Sequence, residues 1–279
     1  MKYDERLIGP KPSDAVLAES KKRLDAMFKK RFEDRQAQRQ QQRGIEAAPF
    51  GAMRELAKQD SRLSAAVGEA KKQAAARSKI RAKAPPRTKV AGRQHIGSVA
   101  VTLVPPFWGW QWNAQTGQDA TGTTGVDPNG GTMWFQSYTG DNGKTAAAAV
   151  ALGGYFQPLA DNGYMFVMAT PSVSYMEDTW TVFDSAHAGN FIGIYVGEYT
   201  LEGQFIQAVI DQQIHIGDGD GSTSGFPLVG STPCDSDHFY EVWVWAGGDA
   251  EADGWSAFWG SAALSYGNIT VPSISVFAF

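Results

Sequence analysis

The chain has 279 residues, 43% of them hydrophobic, and a net charge of -4, so it can build one or two domains with a full core. Its one cysteine, Cys234, excludes an intrachain disulfide framework and a multi-thiolate metal centre. The longest small-apolar stretch, 145–155, is much shorter than the ~20 residues of a membrane span.

The charge is divided unevenly. Residues 1–93 hold 24 of the 25 Lys and Arg against 11 acids, a net of +13. Residues 94–279 hold Lys144 alone against 18 acids, a net of -17. A basic arm on an acidic body is the organisation this implies. The opening MKYDERLIGP is charged and has no apolar signal core, so cytoplasmic synthesis without a signal peptide is expected. Later release, or incorporation into a larger assembly, stays open.

The arm is expected over residues 1–79 as two basic amphipathic helices. Ser13 offers an N-cap, and Leu17, Leu24, Phe28 and Phe32 recur at helical spacing with Met27 beside them. Gly44 and Pro49 are expected to end this first helix. A second is read from about 51 to 78, with Met53, Leu56, Leu63, Val67 and Ala74 on its apolar side. Stripes this narrow need a partner: the other helix, the body or a second copy of the chain.

Nine basic residues and no acid follow between 71 and 93: Lys71, Lys72, Arg77, Lys79, Arg81, Lys83, Arg87, Lys89 and Arg93. Pro85 and Pro86 make residues 80–94 an extended linker. The plain reading is a solvated charge run. The sharper one is an anion-binding arm for nucleic acid, an anionic membrane surface or an acidic protein face. Few aromatics interleave, so a stacking platform for single strands is not supported.

Residues 95–279 alternate short apolar runs with Gly, Asn, Asp, Ser and Pro clusters, the pattern of an antiparallel β-sandwich, jelly-roll-like. Strands are read near 97–104, 108–113, 131–139, 145–156, 163–169, 172–183, 190–199, 204–216, 238–246, 255–266 and 268–278. The alanine run 145–152 also reads as a short helix.

Three aromatic faces stand out. Trp108, Trp110 and Trp112 fall on one strand face, and Trp243 and Trp245 share another with Phe239 and Glu241. Trp134, Gln136 and Tyr138 form a third. Indoles beside carboxylates suit sugar rings, which makes Trp108, Trp110, Trp112, Trp243, Trp245 and Glu241 candidate glycan-binding residues. Buried core is the plainer reading for 239–246.

Asp218 with Asp220, and Asp249, Glu251 with Asp253, place oxygens at alternate positions in expected loops. They are candidate calcium ligands, although an acidic turn explains either cluster. Cys234, Asp235, Asp237 and His238 form the densest group of catalytic residue types, at a loop-to-strand entry where Asp and Ser commonly make turns. No phosphate loop, nucleophile elbow or zinc spacing is present.

The reading is a non-enzymatic binding and assembly protein. A β-sandwich head recognises a ligand such as a glycan, and a basic helical arm drives homo-oligomerisation or docking. A protease-processed membrane-active toxin, and a capsid-like shell protein with a nucleic-acid-binding arm, are the alternatives.

Overall fold

A computed structural model describes residues 13–62, 65, 69, 72, 100–116, 119–140, 144–158, 163–181, 186–252 and 261–278. Among the described residues, helix α1 (Asp14–Gln59) is followed by fifteen strands. In chain order these are β1 (Ala100–Leu103), β2 (Trp108–Gln115), β3 (Ala120–Asp127), β4 (Thr132–Thr139) and β5 (Lys144–Phe156). Then come β6 (Gly163–Ala169), β7 (Ser172–Thr181), β8 (Ala186–Thr200), β9 (Phe205–Asp211) and β10 (Ile214–His215). The last are β11 (Asp220–Thr223), β12 (Leu228–Cys234), β13 (His238–Ala252), β14 (Ser261–Thr270) and β15 (Ile274–Ala278).

The strands form three antiparallel sheets in a sandwich-like body. The central sheet runs β10-β8-β13-β5-β2, with β9 also paired to β8. The second runs β11-β7-β14-β4-β3 and the third β1-β15-β6-β12. Two sheets were the expectation, and two prolines explain the third. Pro171 separates β6 from β7, and Pro272 separates β14 from β15, while β6 pairs β15 and β7 pairs β14. Proline cannot donate to a ladder. Both interruptions fall at one level, so the layer facing the central sheet is split in two.

Between the layers lies the main core. Val150, Leu152, Ile192, Ile194, Val242 and Val244 of the central sheet meet Met133, Phe135, Val173 and Ile269 of the second sheet. They also meet Met165, Val167, Ile274 and Val276 of the third. Burial alternates along β4, where Met133 and Phe135 point inward. Trp134 points outward across Gly125, where a Cβ would sit 2.1 Å from the indole Nε1.

Several expectations are corrected. Residues 145–152 are strand, not helix: β5 is held on one side by β13 and on the other by β2, and pairing overrides the alanine propensity. The expected strand 204–216 is two, β9 and β10, both on β8. Strand β13 does not stop at Ala246 but runs through Gly247 and Gly248 to Ala252. A Cβ at Gly248 would lie 1.8 Å from Ser265 Oγ, so glycine is what lets this central strand continue under its neighbour. Strands β3, β11 and β12 escaped the sequence reading because ATGTTGVD, DGST and LVGSTPC look like turn sequence.

The arm departs from expectation too. The α1 backbone runs helical through Gly44 and Pro49, and the break comes at Asp60, extended at φ -107°. Gln40–Gln42, Glu46–Ala48 and Arg54–Ala57 are good helix formers on either side, and their propensity outweighs the two breakers. Asp60 Oδ1 accepts from Arg62 N at 2.9 Å, and Ser61, Arg62, Ala65, Glu69 and Lys72 are helical again. Linker 80–94 lies outside the described residues.

Candidate functional site

Helix α1 lies along the outer face of the central sheet and follows β13. Ser13 caps it, accepting from Val16 N through its hydroxyl. Odd-numbered residues of β13 face the helix, because side chains alternate along a strand. Glu241 sits beside Ser20, Trp243 and Trp245 meet Leu24 and Phe28, and Asp249 and Glu251 meet Arg35 and Arg39. The nineteen residue steps along the helix from Ser20 to Arg39 rise about 28 Å. The ten residue steps along the strand from Glu241 to Glu251 rise about 33 Å. The two elements match in length, so one helix face can serve one strand face end to end.

The apolar part of the contact is aromatic. Phe28 stacks on Trp110 with centroids 4.9 Å apart and meets the edge of Trp245 at 4.9 Å. Phe32 meets Trp112 at 6.1 Å, edge to face. Leu24, Phe28 and Phe32 are buried, and each such side chain contributes about 1.5–3 kcal/mol of apolar burial. Small residues on the sheet make room for the indoles. A Cβ at Gly153 would lie 2.6 Å from the Trp243 ring, and one at Gly193 only 1.8 Å from Gln212 O and 2.7 Å from Trp245. Substituting alanine for Gly193 must push backbone as well as indole aside. Gly193→Ala is therefore expected to destabilise by about 1–3 kcal/mol, read as a lower Tm in thermal denaturation.

Arginines extend the contact. Arg31 pairs with Asp211 and lies over the Trp245 ring at 4.6 Å. Arg35 reaches Asp249 at 3.3 Å and lies over Phe191 at 4.8 Å. Arg39 bridges Asp249 and Glu251, at 2.5 and 3.3 Å. Burial lowers the Arg35 pKa and the neighbouring Arg39 and Arg31 add to this, while Asp249 opposes it. Gln36 Nε2 donates to Thr145 Oγ1 at 2.6 Å. Nearer the N-terminus, Arg23 covers the Phe205 ring at 3.9 Å.

Glu241 is 2% exposed and accepts from the Tyr199 hydroxyl at 2.7 Å. Burial raises its pKa, and Ser20, Tyr199, Trp243 and Arg23 offset this only in part. A carboxyl raised on folding adds stability below its unfolded pKa and loses that contribution as pH rises through the folded one. Glu241→Gln removes this term and leaves the other acids in place. The stability of Glu241→Gln relative to the parent should therefore rise as pH increases from the unfolded carboxylate range upward. Chemical denaturation at several pH values checks the sign.

The five tryptophans proposed as ligand residues do converge, with Glu241, on one face. Trp243, Trp245 and Trp110 are buried there beneath α1, and Trp108 and Trp112 are half-buried. Trp108 stacks on Tyr155 at 5.1 Å. Beside the helix an open cleft of about 460 Å3 is lined by Lys21, Asp25, Gly109, Trp110, Gln111, Val126 and Pro128. Trp110 Nε1 donates to Asp25 Oδ1 at 3.0 Å, which fixes the indole at the cleft wall.

Of the candidate calcium ligands, Asp249 and Glu251 do not lie in the expected loop. Asp249 and Glu251 are 1% and 2% exposed inside β13 and face arginines, because β13 continues past the glycine pair. Asp253 lies outside the described residues. Asp218 is exposed near His215, and Asp220 starts β11 opposite Met176. Of the anion-binding candidates only Lys72 is described: it is exposed, 3.8 Å from Glu69. Lys71, Arg77, Lys79, Arg81, Lys83, Arg87, Lys89 and Arg93 lie outside the described residues.

The Cys234–His238 group reads as a structural tie. His238 Nδ1 lies 2.9 Å from Glu198 Oε1, and the carboxylate also accepts from Tyr240 and Gln207. Burial opposes ionisation of Glu198, but these hydrogen bonds outweigh it and hold its pKa below the usual range. Burial pushes the Cys234 thiol up, with Asp235 and Glu198 adding to it. An activated nucleophile needs the opposite shift.

The sequence placed each set of indoles on one strand face, and it named the body among the partners that the helix stripe needs, without pointing to this face. Leu24, Phe28, Arg31, Arg35 and Arg39 carry the occupant's signal, an apolar pair followed by arginines at helical spacing opposite an acidic strand.

No family model matches the chain, and no curated protein matches it. Among solved structures, the enzymatically active domain of tailspike protein 4 of bacteriophage CBA120 overlaps 61% of this chain at 14% identity and a TM-score of 0.23. The chain spans only 19% of that protein's length. A carbohydrate-binding module of the β-sandwich superfamily overlaps 58% at 10% identity and a TM-score of 0.24, with 56% of its own length covered. The family 11 carbohydrate-binding module of a cellulosomal cellulase of Clostridium thermocellum overlaps 58% at 11% identity and a TM-score of 0.19. At these TM-scores the chemistry of the site rests on its own residues.

Proposed function

We propose that this is a non-enzymatic binding and assembly protein, with a β-sandwich head for a glycan and a basic helical arm that docks on acidic, indole-lined sheet faces. The observation that carries the reading is the occupied face of the central sheet. One helix buries Leu24, Phe28 and Phe32 among indoles while Arg31, Arg35 and Arg39 meet Asp211, Asp249 and Glu251. A face with this chemistry is a receptor for a basic amphipathic helix. Residues 60–99 separate α1 from β1, forty positions that give the arm reach to its own head or a neighbour's. Arg23, Arg31, Arg35 and Arg39 rest on protein, which favours docking over nucleic acid as the role of residues 14–39. Among the described residues no helix is long and apolar enough to cross a membrane.

The glycan assignment is supported by the cleft beside α1, where an indole edge, Gln111, Asp25 and Lys21 gather around Pro128 and Val126. Electrophoresis of the full chain through gels cast with soluble β-glucan or galactan tests it. Retardation without release of reducing ends is expected. Free migration in every gel, or release of reducing ends, contradicts the reading.

Assembly is tested by placing both Gln36→Cys and Thr145→Cys in each of two differently tagged, co-expressed copies. A short bismaleimide is expected to join the two tags. Only intrachain product, at any protein concentration, would limit the arm to its own head.

A further inference from the structure

The edges of two sheets meet at His215. Strand β10 borders the central sheet, pairing His215 with Phe191. Strand β7, carrying Glu177, lies in the second sheet between β14 and the edge strand β11. The chain crosses from one sheet to the other between His215 and Asp220.

At this crossing His215 Nε2 lies 3.0 Å from Glu177 Oε1 and 3.8 Å from Asp218 Oδ1. The three ligand atoms lie within 4.8 Å of one another. The Glu177 side chain is 9% exposed, and its Oε1 also accepts from Asn190 N. Asn190 is fully buried and tied to Met176 O and Ser265 Oγ. The inner carboxylate is thus fixed by the core. Asp218 is the opposite case, a 97% exposed side chain between Gly217 and Gly219, whose φ values are 145° and 73°. Such a loop lets the outer carboxylate close on a ligand.

We propose that Glu177, His215 and Asp218 form a zinc site that clips the central sheet to the second sheet at this edge. Ligands 2.0–2.2 Å from one tetrahedral zinc lie about 3.4 Å apart. The contacts of 3.0 and 3.8 Å bracket that spacing, and all three ligand atoms lie within 4.8 Å of one another, so inward closure of the exposed Asp218 side chain admits the ion. One imidazole and two carboxylates suit zinc and leave a fourth position for water. Calcium takes six to eight oxygens, and this group offers two carboxylates. The site is independent of the glycan and docking roles. A plain histidine–glutamate hydrogen bond would explain the 3.0 Å contact without metal, and zinc uptake separates the two readings.

The test is calorimetric titration of zinc into the full chain after chelator treatment, with calcium in parallel. One zinc per chain, a higher Tm with zinc and no response to calcium are expected. His215→Ala and Asp218→Asn should each weaken zinc binding at least about tenfold. His238→Ala, which removes the imidazole on Glu198, should leave it unchanged. Far-UV circular dichroism confirms the fold of each variant, and Asp218→Asn changes an exposed loop side chain only. A chain that takes up no zinc, or affinity unaltered in either His215→Ala or Asp218→Asn, overturns the site.

Discussion

Replacing Phe28 with alanine is expected to destabilise the docked state by about 3–5 kcal/mol, the range for emptying a large aromatic site in a packed core. Phe28 is 3% exposed and contacts Trp110, Trp112 and Trp245 at once, with the Arg31 guanidinium 5.4 Å from its ring. No neighbour can refill its volume. Leu24 and Phe32 sit one helical turn away on either side, and the sheet beneath is fixed by ladders to β5 and β8. The loss should appear first as release of the helix rather than unfolding of the sandwich, whose main core lies on the other face of the central sheet. Tryptophan emission should shift to the red as Trp110 and Trp245 meet water. Denaturant titration followed by fluorescence and far-UV circular dichroism measures both effects. An unchanged emission maximum would mean that Phe28 does not cover the indoles.

Asp249→Ala is expected to cost about 3–4 kcal/mol, near the lower end of the cost of breaking a buried ion pair. The carboxylate is 1% exposed and serves both Arg35 and Arg39. Its removal leaves two guanidinium groups against a sheet, with Glu251 3.3 Å from Arg39. Those arginine side chains keep 21% and 15% exposure, and water reaching them limits the penalty. Removing the guanidinium that loses its carboxylate should restore part of the loss: Asp249→Ala with Arg35→Met lies between the single variant and the parent, while Arg39 keeps Glu251. Chemical denaturation of the single and double variants gives the comparison. Equal stability of the single variant and the parent would show that the arginines do not rest on β13.

Much of the architecture was readable from alternation. Phe239, Glu241, Trp243 and Trp245 on one face and Tyr240, Val242 and Val244 on the other follow from period-two geometry, and the structure places a separate layer against each. What alternation did not disclose was the end of β13. Gly247 and Gly248 look like a turn, yet they mark close packing against β5 and the second sheet. That error turned Asp249 and Glu251 into expected loop residues, when they are buried partners of arginines about 210 positions earlier. Pairing across such a sequence distance leaves no local signature.

The same limit applies to the helix. Its stripe announced the need for a partner, and its charge announced an anionic one, but neither named the Trp-lined sheet. Gly44 and Pro49 carried too much weight against good helix formers around them, so the break was placed some ten residues before Asp60. The pair Glu177 and His215 was invisible for another reason. They belong to different sheets and meet only because β10 and β7 border the same crossing.

Amide hydrogen exchange of the full chain tests the central claim, that residues 20–39 are docked on the central sheet. A free helix of this composition opens readily, whereas one held by Leu24, Phe28, Phe32 and four arginines opens only with the contact. Amides of residues 20–39 should exchange at least about a hundredfold more slowly in the parent than in Phe28→Ala. Equal exchange of these amides in the two proteins, both fast, would contradict docking and the receptor role assigned to the indole-lined face.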